Sequence, residues 1–530
     1  NSVNVEINLN DTAIEFPHYW KSTGFTPASA VQLPAMQLSL DLLSTQAGQG
    51  VVYVRPHYLL NLVGTKGLGT ENPEYNWTKL DFVLDYFVEN NLIPFFEIMG
   101  HPSTEWEAQD QEFDQYFQGQ NSDENRYFDN FEDDGQIRAW KELVKEMALH
   151  FIERYGPEEV RSWYFETWNE PNLNHFWHYG LQGLLNYYDA CSEGLMEADS
   201  LLIFGGPGTA GAPDNDTFKE LLNHCESGTN YFTGEKGVRI DFISYHIKAR
   251  VRYMINNELE VIEYIRENNP GLKDLPLINN EADPIAGWGR KFFWRPDAWY
   301  ASFIVQSIDH HNIYLIDDKG VNYGMLSNDN GFMGDWYRRT HFARFIKDND
   351  DQLSRSEQFY LIKKPAFTVM SLLELLGNER FRVNLDNREK HYGLIPTRNN
   401  RGDIILALYN SPLIEISYNR PVSIEKEYVD KLIYENSDVR FKINLNGIIP
   451  GKYILIHYSL DEEHSNPFAE WLKAGSPEFP GTKEYHQMAA RQEPQIIGIP
   501  TELNLNSPNA EIEIDMSPAS VSLIMLVQKT

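Results

Sequence analysis

Eight short apolar runs, most of them followed by polar side chains at the carboxyl end, constrain the fold more than any other feature of this sequence. Stretches with helical spacing separate the runs, and the clearest of these places one set of side chains on a single face: Trp140, Leu143, Val144, Met147, Phe151 and Ile152. The runs begin at His18, Val51, Leu92, Ser162, Leu201, Ile240, Pro276 and Ile313. Strands that alternate with helices over residues 15–377 predict an α/β fold, a (β/α)8 TIM barrel.

The polar residues at the ends of these runs distinguish a barrel from a doubly wound sheet. A barrel gathers the carboxyl ends of all its strands on one face, and that face holds the active site. A doubly wound sheet collects ligand groups only near its switch point. The polar groups end many runs along the chain rather than one or two: Arg55 to His57, Glu97, Asn169 and Glu170, His246, Asn280 and Glu281.

Residues 378–530 show a different pattern. Short alternating or continuously apolar runs, bounded by Gly, Pro, Asn and Ser, are typical of a β-sandwich. The first residues, VNVEINLN, alternate in the same way. With 530 residues the chain is long enough for two domains. We therefore predict a catalytic barrel over 15–377 and an accessory antiparallel β-sandwich made of 1–14 plus 378–530.

Charge and cysteine content exclude several classes of function. The net charge of −32 argues against nucleic acid and against an anionic membrane surface as partners. No apolar run approaches the roughly 18 residues of a membrane-spanning helix. Two cysteines, Cys191 and Cys225, are too few for a disulfide framework or a cysteine-based zinc site. The acidic segment 104–136 is interpreted as a solvated surface loop, or else as a loop that shapes access to the barrel mouth.

Two glutamates, Glu170 and Glu281, end the fourth and seventh predicted strands, each directly after an asparagine. A pair of carboxylates across a barrel mouth is what glycoside hydrolysis needs, because one protonates the leaving oxygen while the other attacks the anomeric carbon or activates water. Glu166 lies inside its strand, and we predict that it pairs with a base such as Arg55 as part of the scaffold. A scaffold role is predicted for Glu97 as well.

Signals for other chemistries are weak. The 15 histidines include no HExxH pair, and His310 and His311 fall in a helical pattern that favours a surface position. The G-x-S-x-G elbow of serine hydrolases is missing. Residues 205–211, GGPGTAG, lack the Lys-Ser/Thr of a phosphate-binding P-loop and are interpreted as a turn at a strand end. We therefore predict no metal and no organic cofactor.

Motifs spread over nearly the whole chain carry a resemblance to a known family. They are YWKSTGF, LIPFFEIMG, FETWNEPN, LLNYYDACSEGL, NYFTGEKGVRIDFISYH, NNEADPIAGW, LSNDNGFM and LIKKPAFTVMSLLELL. With these motifs the sequence resembles glycoside hydrolase family 39 of clan A, and within it the enzymes that cleave α-L-iduronides. The resemblance implies that Glu170 is the general acid/base and Glu281 the nucleophile. It also implies a set of substrate-binding residues: His57, Asn169, His246, Lys248, Gly287, Trp288, Asp329 and Arg339.

Within that set, four groups are expected near a uronate carboxylate: the side chains of Lys248 and Arg339 and the backbone N–H groups of Gly287 and Trp288. Arg338 is the alternative to Arg339 for this contact. An α-L-iduronide is the C5 epimer of a β-D-glucuronide, so a carboxylate pair suited to one suits the other. The expected activity is retaining removal of non-reducing-terminal α-L-iduronic acid from dermatan- and heparan-sulfate-type oligosaccharides. Retention predicts carboxyl groups about 5–5.5 Å apart and a raised pKa for Glu170.

Two other functions stay open at this point. A retaining β-D-xylosidase, or a glycosidase of plant or algal uronates, would use the same glutamates without needing both cations. A non-catalytic carbohydrate-binding protein could also be built on a glycosidase fold. The resemblance and three N-x-Thr sequons, at Asn10, Asn76 and Asn215, predict an extracytoplasmic location: periplasmic or secreted in a bacterium, lysosomal in an animal. The oligomeric state is not predicted.

Overall fold

A computed structural model describes residues 2–25, 28–46, 50–108, 126–287, 289–347, 358–385, 390–414, 416, 421–422 and 438–529. Eight parallel strands, here called barrel strands 1 to 8, pair in chain order: Ser22–Phe25, Tyr53–Pro56, Ile93–Glu97, Tyr164–Glu166, Ile203–Ala210, Ile243–His246, Leu277–Asn279 and Tyr323–Leu326. The Leu326 amide donates to the Tyr19 carbonyl at 2.9 Å, which joins barrel strand 8 to the chain just before barrel strand 1. The sheet is thus a nearly closed parallel barrel, as predicted.

The predicted position of the eighth barrel strand was wrong. The run from Ile313 belongs to a π-helix, His311–Asp317, which continues the α-helix Ala298–His310. Barrel strand 8 is instead the later segment Tyr323–Leu326. A short apolar run fits a buried helix as well as a buried strand, and here Leu315 is fully buried on the helical segment.

His310 and His311 are buried, so their predicted surface position was also wrong. His311 lies 3.0 Å from a carboxylate oxygen of Glu258 and 2.6 Å from the Ser307 carbonyl. These two contacts give both ring nitrogens of His311 a partner in the interior. Hydrogen bonds of this kind allow a histidine to be buried on a face that would otherwise be apolar.

Helices cover the outside of the barrel: Pro34–Ser44, Thr78–Glu89, Asp134–Tyr155, Pro157–Arg161, Gly180–Ala198, Asp216–Ser227, Val251–Asn268, Ala298–His310 and Pro365–Glu374. The longest of them buries Trp140 and Met147 on the face that the spacing predicts. It begins where the Asp133 side chain accepts the Gln136 amide, an N-cap that satisfies one of the helix's unpaired N–H groups.

Barrel strand 8 leads into a three-stranded sheet of Gly331–Gly334, Thr340–Ile346 and Phe359–Lys363. The turn between the first two of these strands carries Arg339 back toward the barrel mouth. A two-stranded sheet, Gly64–Lys66 with Glu74–Asn76, lies in the loop after barrel strand 2. Residues 109–125 of the acidic segment lie outside the described residues. In the described part, Phe128 and Phe131 are buried, with their rings 4.8 and 5.3 Å from that of Trp140.

Two further sheets contain the N-terminal strand and most of the chain after residue 378. One has three strands, Ser2–Asn8, Val439–Asn446 and Asn509–Met516, of which the first two run parallel. The other contains Ile14–Glu15, Glu379–Arg380, Tyr392–Arg398, Ile404–Asn410, Ser520–Gln528, Gly451–Leu460, Gln495–Ile496 and, paired on the side, Thr501–Leu505. A single apolar cluster takes side chains from both sheets, among them Val5, Phe441, Leu406 and Ile524.

Two short helices, Pro467–Lys473 and Thr482–Ala489, interrupt the second of these sheets. Phe468 and Met488 from these helices pack with Trp336 and Phe345 of the segment after barrel strand 8. Cys191 and Cys225 are free, buried thiols. Within the described parts of the chain, no helix is long and apolar enough to cross a membrane.

Candidate active site

Arg55, at the end of barrel strand 2, connects the carboxylates at the barrel mouth. Its Nε donates to Glu166 at 2.8 Å, Nη1 to Glu281 at 3.2 Å and Nη2 to Glu97 at 3.1 Å. The side chain is only 1% exposed. Burial alone would lower the pKa of Arg55, but Glu166, Glu97 and Glu281 raise it well above its usual range. The strand ends predicted to share one face do meet there.

Glu166 pairs with Arg55, as the sequence predicts, and Glu97 pairs with the same guanidinium. Glu166 accepts from Arg55, from the Ser244 hydroxyl at 2.7 Å and from the Asn280 side-chain amide at 2.8 Å. Glu97 contacts Arg55 and, at 2.5 Å, Nδ1 of His57. These charge-assisted hydrogen bonds fix both carboxylates and, through Arg55 and His57, the side chains around them.

Glu170 is placed by an unusual backbone conformation just beyond barrel strand 4. Its φ is +43°, and its amide donates to the Gly208 carbonyl at 3.0 Å. Gly208 belongs to barrel strand 5, which continues to Ala210, so the predicted turn at 205–211 was wrong. Glycine is required at 208 because its φ is +59° and a Cβ there would lie 2.9 Å from Oε1 of Glu166. This close approach lets the strand continue beside the carboxylates.

Glu170 and Glu281 both lie close to Nδ1 of His246. Nδ1 of His246 is 2.8 Å from Oε1 of Glu170 and 3.5 Å from Oε1 of Glu281. One oxygen of each carboxylate lies within 4.8 Å of the other. Inverting glycosidases separate their carboxyl groups by about 6.5–9.5 Å and retaining ones by about 5–5.5 Å. The spacing is therefore that of a retaining pair.

The pKa of Glu170 is not raised, contrary to the prediction. Burial would raise it, but the Lys248 ammonium and the hydrogen bond from His246 outweigh burial and lower the pKa to about 2. Nζ of Lys248 lies 3.3 Å from Oε1 of Glu170 and also contacts Oε2 of Glu281. The same cations, with Arg55 and Arg339, hold the pKa of Glu281 well below its usual value despite burial. Both carboxylates are thus ionised in this arrangement.

Arg339 is a further cation in the site and is buried, with 4% of its surface exposed. Its Nη2 donates to Asp329 at 3.3 Å, and its Nη1 lies 3.8 Å from a carboxylate oxygen of Asp283. Among the described residues, its Nε and Nη1 have no hydrogen-bond partner. The alternative, Arg338, is half-buried and lies 3.5 Å from Asp335. The structure therefore brings Arg339 rather than Arg338 into the site.

Asp283 and Arg295 organise the loop after barrel strand 7 and were not predicted as site residues. Asp283 is fully buried; it accepts from Tyr300 at 2.6 Å and from Arg295 at 3.3 Å. Arg295 also donates to the carbonyl of Gly287, whose φ of +94° turns the loop toward the mouth. Trp288 lies outside the described residues. The sequence signal for Asp283 was its place in NNEADP, two residues after Glu281.

The other predicted sugar contacts lie in the same pocket. Asn169 accepts from Arg55 at 3.2 Å, and Nε2 of His57 lies 4.0 Å from Glu281. Burial and the charge of Glu281 raise the pKa of Asp329 to about 6. His246, Lys248, Gly287 and Arg339 complete the predicted set as far as it is described.

Two groups of side chains in the site have their ligand atoms within 4.8 Å of one another and could hold a metal ion. They are His57, Glu281 and Asp329, and Glu170, His246 and Glu281. Arg55 and Lys248 already neutralise Glu281, so a divalent cation would compete with two fixed positive charges. That the site uses no metal stays a prediction.

A parallel eight-stranded barrel with two close carboxylates after barrel strands 4 and 7 defines a glycoside hydrolase. Comparison with models of protein families then shows which family of glycoside hydrolases the chain belongs to. The model for glycosyl hydrolases family 39 matches residues 3–504, and the chain belongs to that family. It is accordingly a carbohydrate-active hydrolase.

Three relatives illustrate where the chain lies in the family. Human α-L-iduronidase is 35% identical over 496 residues, which cover 90% of this chain and 71% of the human protein. A solved bacterial orthologue of human α-L-iduronidase superimposes with a TM-score of 0.86 at 30% identity, over 100% of this chain and 84% of that one. A β-xylosidase from Caldicellulosiruptor saccharolyticus is 25% identical over 435 residues, 79% of this chain and 77% of that protein.

Proposed function

We propose that this protein is a retaining exo-α-L-iduronidase that removes non-reducing-terminal α-L-iduronic acid from dermatan- and heparan-sulfate-type oligosaccharides. The observation that carries the proposal is the pair of cations in the site, Lys248, which contacts both glutamates, and the buried Arg339. Cations withdrawn from water are favoured where they can bind an anionic group. A xyloside, which has no carboxylate at C5, gives these cations no partner beyond the carboxylates that they already contact.

In the proposed reaction Glu170 protonates the glycosidic oxygen while Glu281 attacks C1 and forms a covalent glycosyl-enzyme. Glu170, then a carboxylate, deprotonates a water whose oxygen attacks C1 and breaks its bond to Glu281, so the sugar leaves with net retention. The low pKa of Glu281 suits a nucleophile, since the ionised carboxylate is the attacking form. Arg55 at 3.2 Å and His246 at 3.5 Å hold that carboxylate in position.

The uronate carboxylate would lie between Arg339 and Lys248, near the backbone N–H at Gly287. Nε and Nη1 of Arg339 have no hydrogen-bond partner among the described residues, so the guanidinium has free N–H donors to offer a carboxylate. Asp329, His57 and Asn169 would bind ring hydroxyls. A contact from Asn169 to the 2-hydroxyl would strengthen in the transition state.

We also propose the domain bounds 15–377 for the barrel and 1–14 plus 378–530 for an accessory β-sandwich. Support comes from the apolar cluster shared by the two non-barrel sheets. The extracytoplasmic location stays a prediction from the sequence.

The test is a panel of aryl glycosides: α-L-iduronide, β-D-xyloside and β-D-glucuronide. We expect the iduronide to be cleaved fastest, with kcat/KM for it falling at least about 100-fold in Arg339→Met, equivalent to about 2.7 kcal/mol of transition-state binding. The same variant should leave xyloside turnover within about threefold. Glu281→Gln should lose activity on all three substrates. Turnover of the xyloside alone would overturn the substrate assignment, and no turnover of any glycoside would favour a binding protein.

A further inference from the structure

Lys248 lies between Glu170 and Glu281 and contacts both. Its Nζ is 3.3 Å from Oε1 of Glu170 and touches Oε2 of Glu281, and its side chain is 15% exposed. A cation this close to two buried carboxylates stabilises the ionised form of each. This creates a conflict with the proposed reaction, because an ionised Glu170 has no proton to give to the leaving oxygen.

Arg339 gives Lys248 a reason to move when an anionic sugar binds. The positive charge of Arg339 acts unfavourably on Lys248, and its Nε and Nη1 have no hydrogen-bond partner in the described chain. A carboxylate placed between the two cations would attract both and cancel their repulsion. Lys248 therefore has two alternative partners: the glutamate pair, or the substrate carboxylate shared with Arg339.

The balance of charge in the site favours proton uptake when an anion binds. Six carboxylates face four permanent cations and two histidines: Glu97, Glu166, Glu170, Glu281, Asp283 and Asp329; Arg55, Lys248, Arg295 and Arg339; His57 and His246. A substrate carboxylate adds one more negative charge to a site whose six carboxylates are at most balanced by the four permanent cations and the two histidines. Like charges in such a setting raise the pKa of the least well paired carboxylate.

Glu170 is the least well paired of the four glutamates once Lys248 turns to the substrate. Glu281 keeps Arg55 at 3.2 Å, and Glu166 and Glu97 keep theirs. Glu170 would retain only the His246 contact at 2.8 Å. Among the described residues its Oε2 has no hydrogen-bond partner, which leaves that oxygen to carry the proton toward the glycosidic oxygen.

We propose that the carboxylate of a bound uronide, by drawing Lys248 away from Glu170, converts Glu170 into the protonated acid, so that each binding event takes up one proton. This rests on the proposed function. The proton comes from solvent; it passes from Glu170 to the leaving oxygen as the C1–O bond breaks and the bond from Glu281 to C1 forms. A neutral pyranoside such as a xyloside leaves Lys248 in place and Glu170 ionised. Lys248 is thereby a specificity-determining residue that acts through protonation as well as binding.

The direct test counts protons by titration calorimetry in two buffers of different ionisation enthalpy. The probes are a hydrolysis-resistant aryl thioglycoside of α-L-iduronic acid and its neutral C6 amide. At about pH 6.5 we expect uptake of about one proton with the acid and close to none with the amide. Glu170→Gln should bind the acid without that uptake. Equal uptake with acid and amide, or uptake that persists in Glu170→Gln and so belongs to another group such as Asp329, would overturn the proposal.

A second test separates this proposal from the proposed function. In Lys248→Met, turnover of an aryl β-D-xyloside at about pH 6.5 should rise about tenfold or more, with the basic limb of its pH profile moved upward. The matched control is Lys21→Met, which removes a lysine paired with Glu374 at 3.0 Å far from the pair. Unchanged or lower xyloside turnover in Lys248→Met sinks the proposal. Failure of the iduronate thioglycoside to bind the wild type would count against the proposed function instead, and the xyloside result would still decide the role of Lys248.

Discussion

At the scale of single residues, Arg55 determines how the barrel mouth can work. Its guanidinium, only 1% exposed, donates hydrogen bonds to three carboxylates that lie far apart in the sequence. The sequence predicted its pairing with Glu166, because a glutamate inside a strand is expected to be buried and to need a base. It did not predict the contacts with Glu97 and Glu281, because reach across a barrel depends on strand register and tilt, which no local pattern encodes.

Replacing Arg55 by methionine should destabilise the protein strongly. Three buried carboxylates would lose a shared cation, and an uncompensated buried charge costs about 3–5 kcal/mol. The measurement is urea unfolding at neutral pH. The control is Arg154→Met, which removes an ion pair with Asp85 at a side chain 40% exposed; a loss of less than about 1 kcal/mol is expected there. Comparable losses in the two variants would contradict a structural role for the Arg55 network.

Glu281 should make stability depend on pH in a defined direction. Its pKa in the folded protein lies well below the usual 4.5, because His246, Lys248, Arg55 and Arg339 outweigh burial. A depressed pKa contributes stability above the unfolded pKa, and that contribution is lost as pH falls toward the folded one. The unfolding free energy of wild type relative to Glu281→Gln should therefore drop by on the order of 2 kcal/mol between about pH 6 and pH 3. A difference independent of pH would show that Glu281 is not held ionised.

At the scale of elements, the loop after barrel strand 7 positions the proposed carboxylate site. Arg295 joins the Gly287 carbonyl to Asp283, and Asp283 lies 3.8 Å from Arg339. The loop and the turn that carries Arg339 are thus fixed against each other. The sequence predicted Gly287 and Arg339 on these elements as substrate-binding residues but not Asp283 and Arg295, since buried side chains that hold other side chains have no motif of their own.

Arg295→Met should weaken recognition of the uronate and leave the glutamate pair working. We expect KM for the aryl iduronide to rise about 10- to 100-fold with kcat changed less. This is the pattern seen when an interaction that binds the substrate and the transition state equally is lost. Xyloside kinetics should stay within about threefold. Arg266→Met is a suitable control, because Arg266 lies at the far end of its helix and donates to the Lys319 carbonyl. Parallel losses on both substrates would assign Arg295 to folding instead.

Elements also show where prediction from the sequence succeeds. Seven of the predicted barrel strands fall at the predicted runs, since apolar strands with polar ends are a strong local signal. The eighth was displaced because the apolar π-helix His311–Asp317 imitates a strand. The segment 205–211, GGPGTAG, resembled a turn, yet 205–210 lie in barrel strand 5, where Gly208 passes close to Glu166. In both places tertiary packing, which is invisible to local patterns, decided the outcome.

At the scale of the whole molecule, the net charge is negative although the proposed binding site is lined by cations. The chain carries −32, while Lys248 and Arg339 are confined to a buried pocket. A long sulfated chain must approach through the negative potential of the surface, whereas a short oligosaccharide brings fewer repelled groups. Acidic surface and cationic pocket together favour entry of a single terminal sugar.

This distribution predicts a preference for short substrates that salt should weaken. At low ionic strength, kcat/KM for a tetrasaccharide ending in iduronate should exceed that for intact dermatan sulfate, compared per non-reducing end, by about tenfold or more. Raising the salt from about 0.01 to 0.15 M shortens the Debye length from about 30 to 8 Å. Screening should therefore increase the rate on the polymer while changing the rate on a neutral aryl xyloside little. A polymer rate equal to that of the tetrasaccharide, or one that falls with salt, would show that the negative surface does not restrict access and that a cationic path reaches the site.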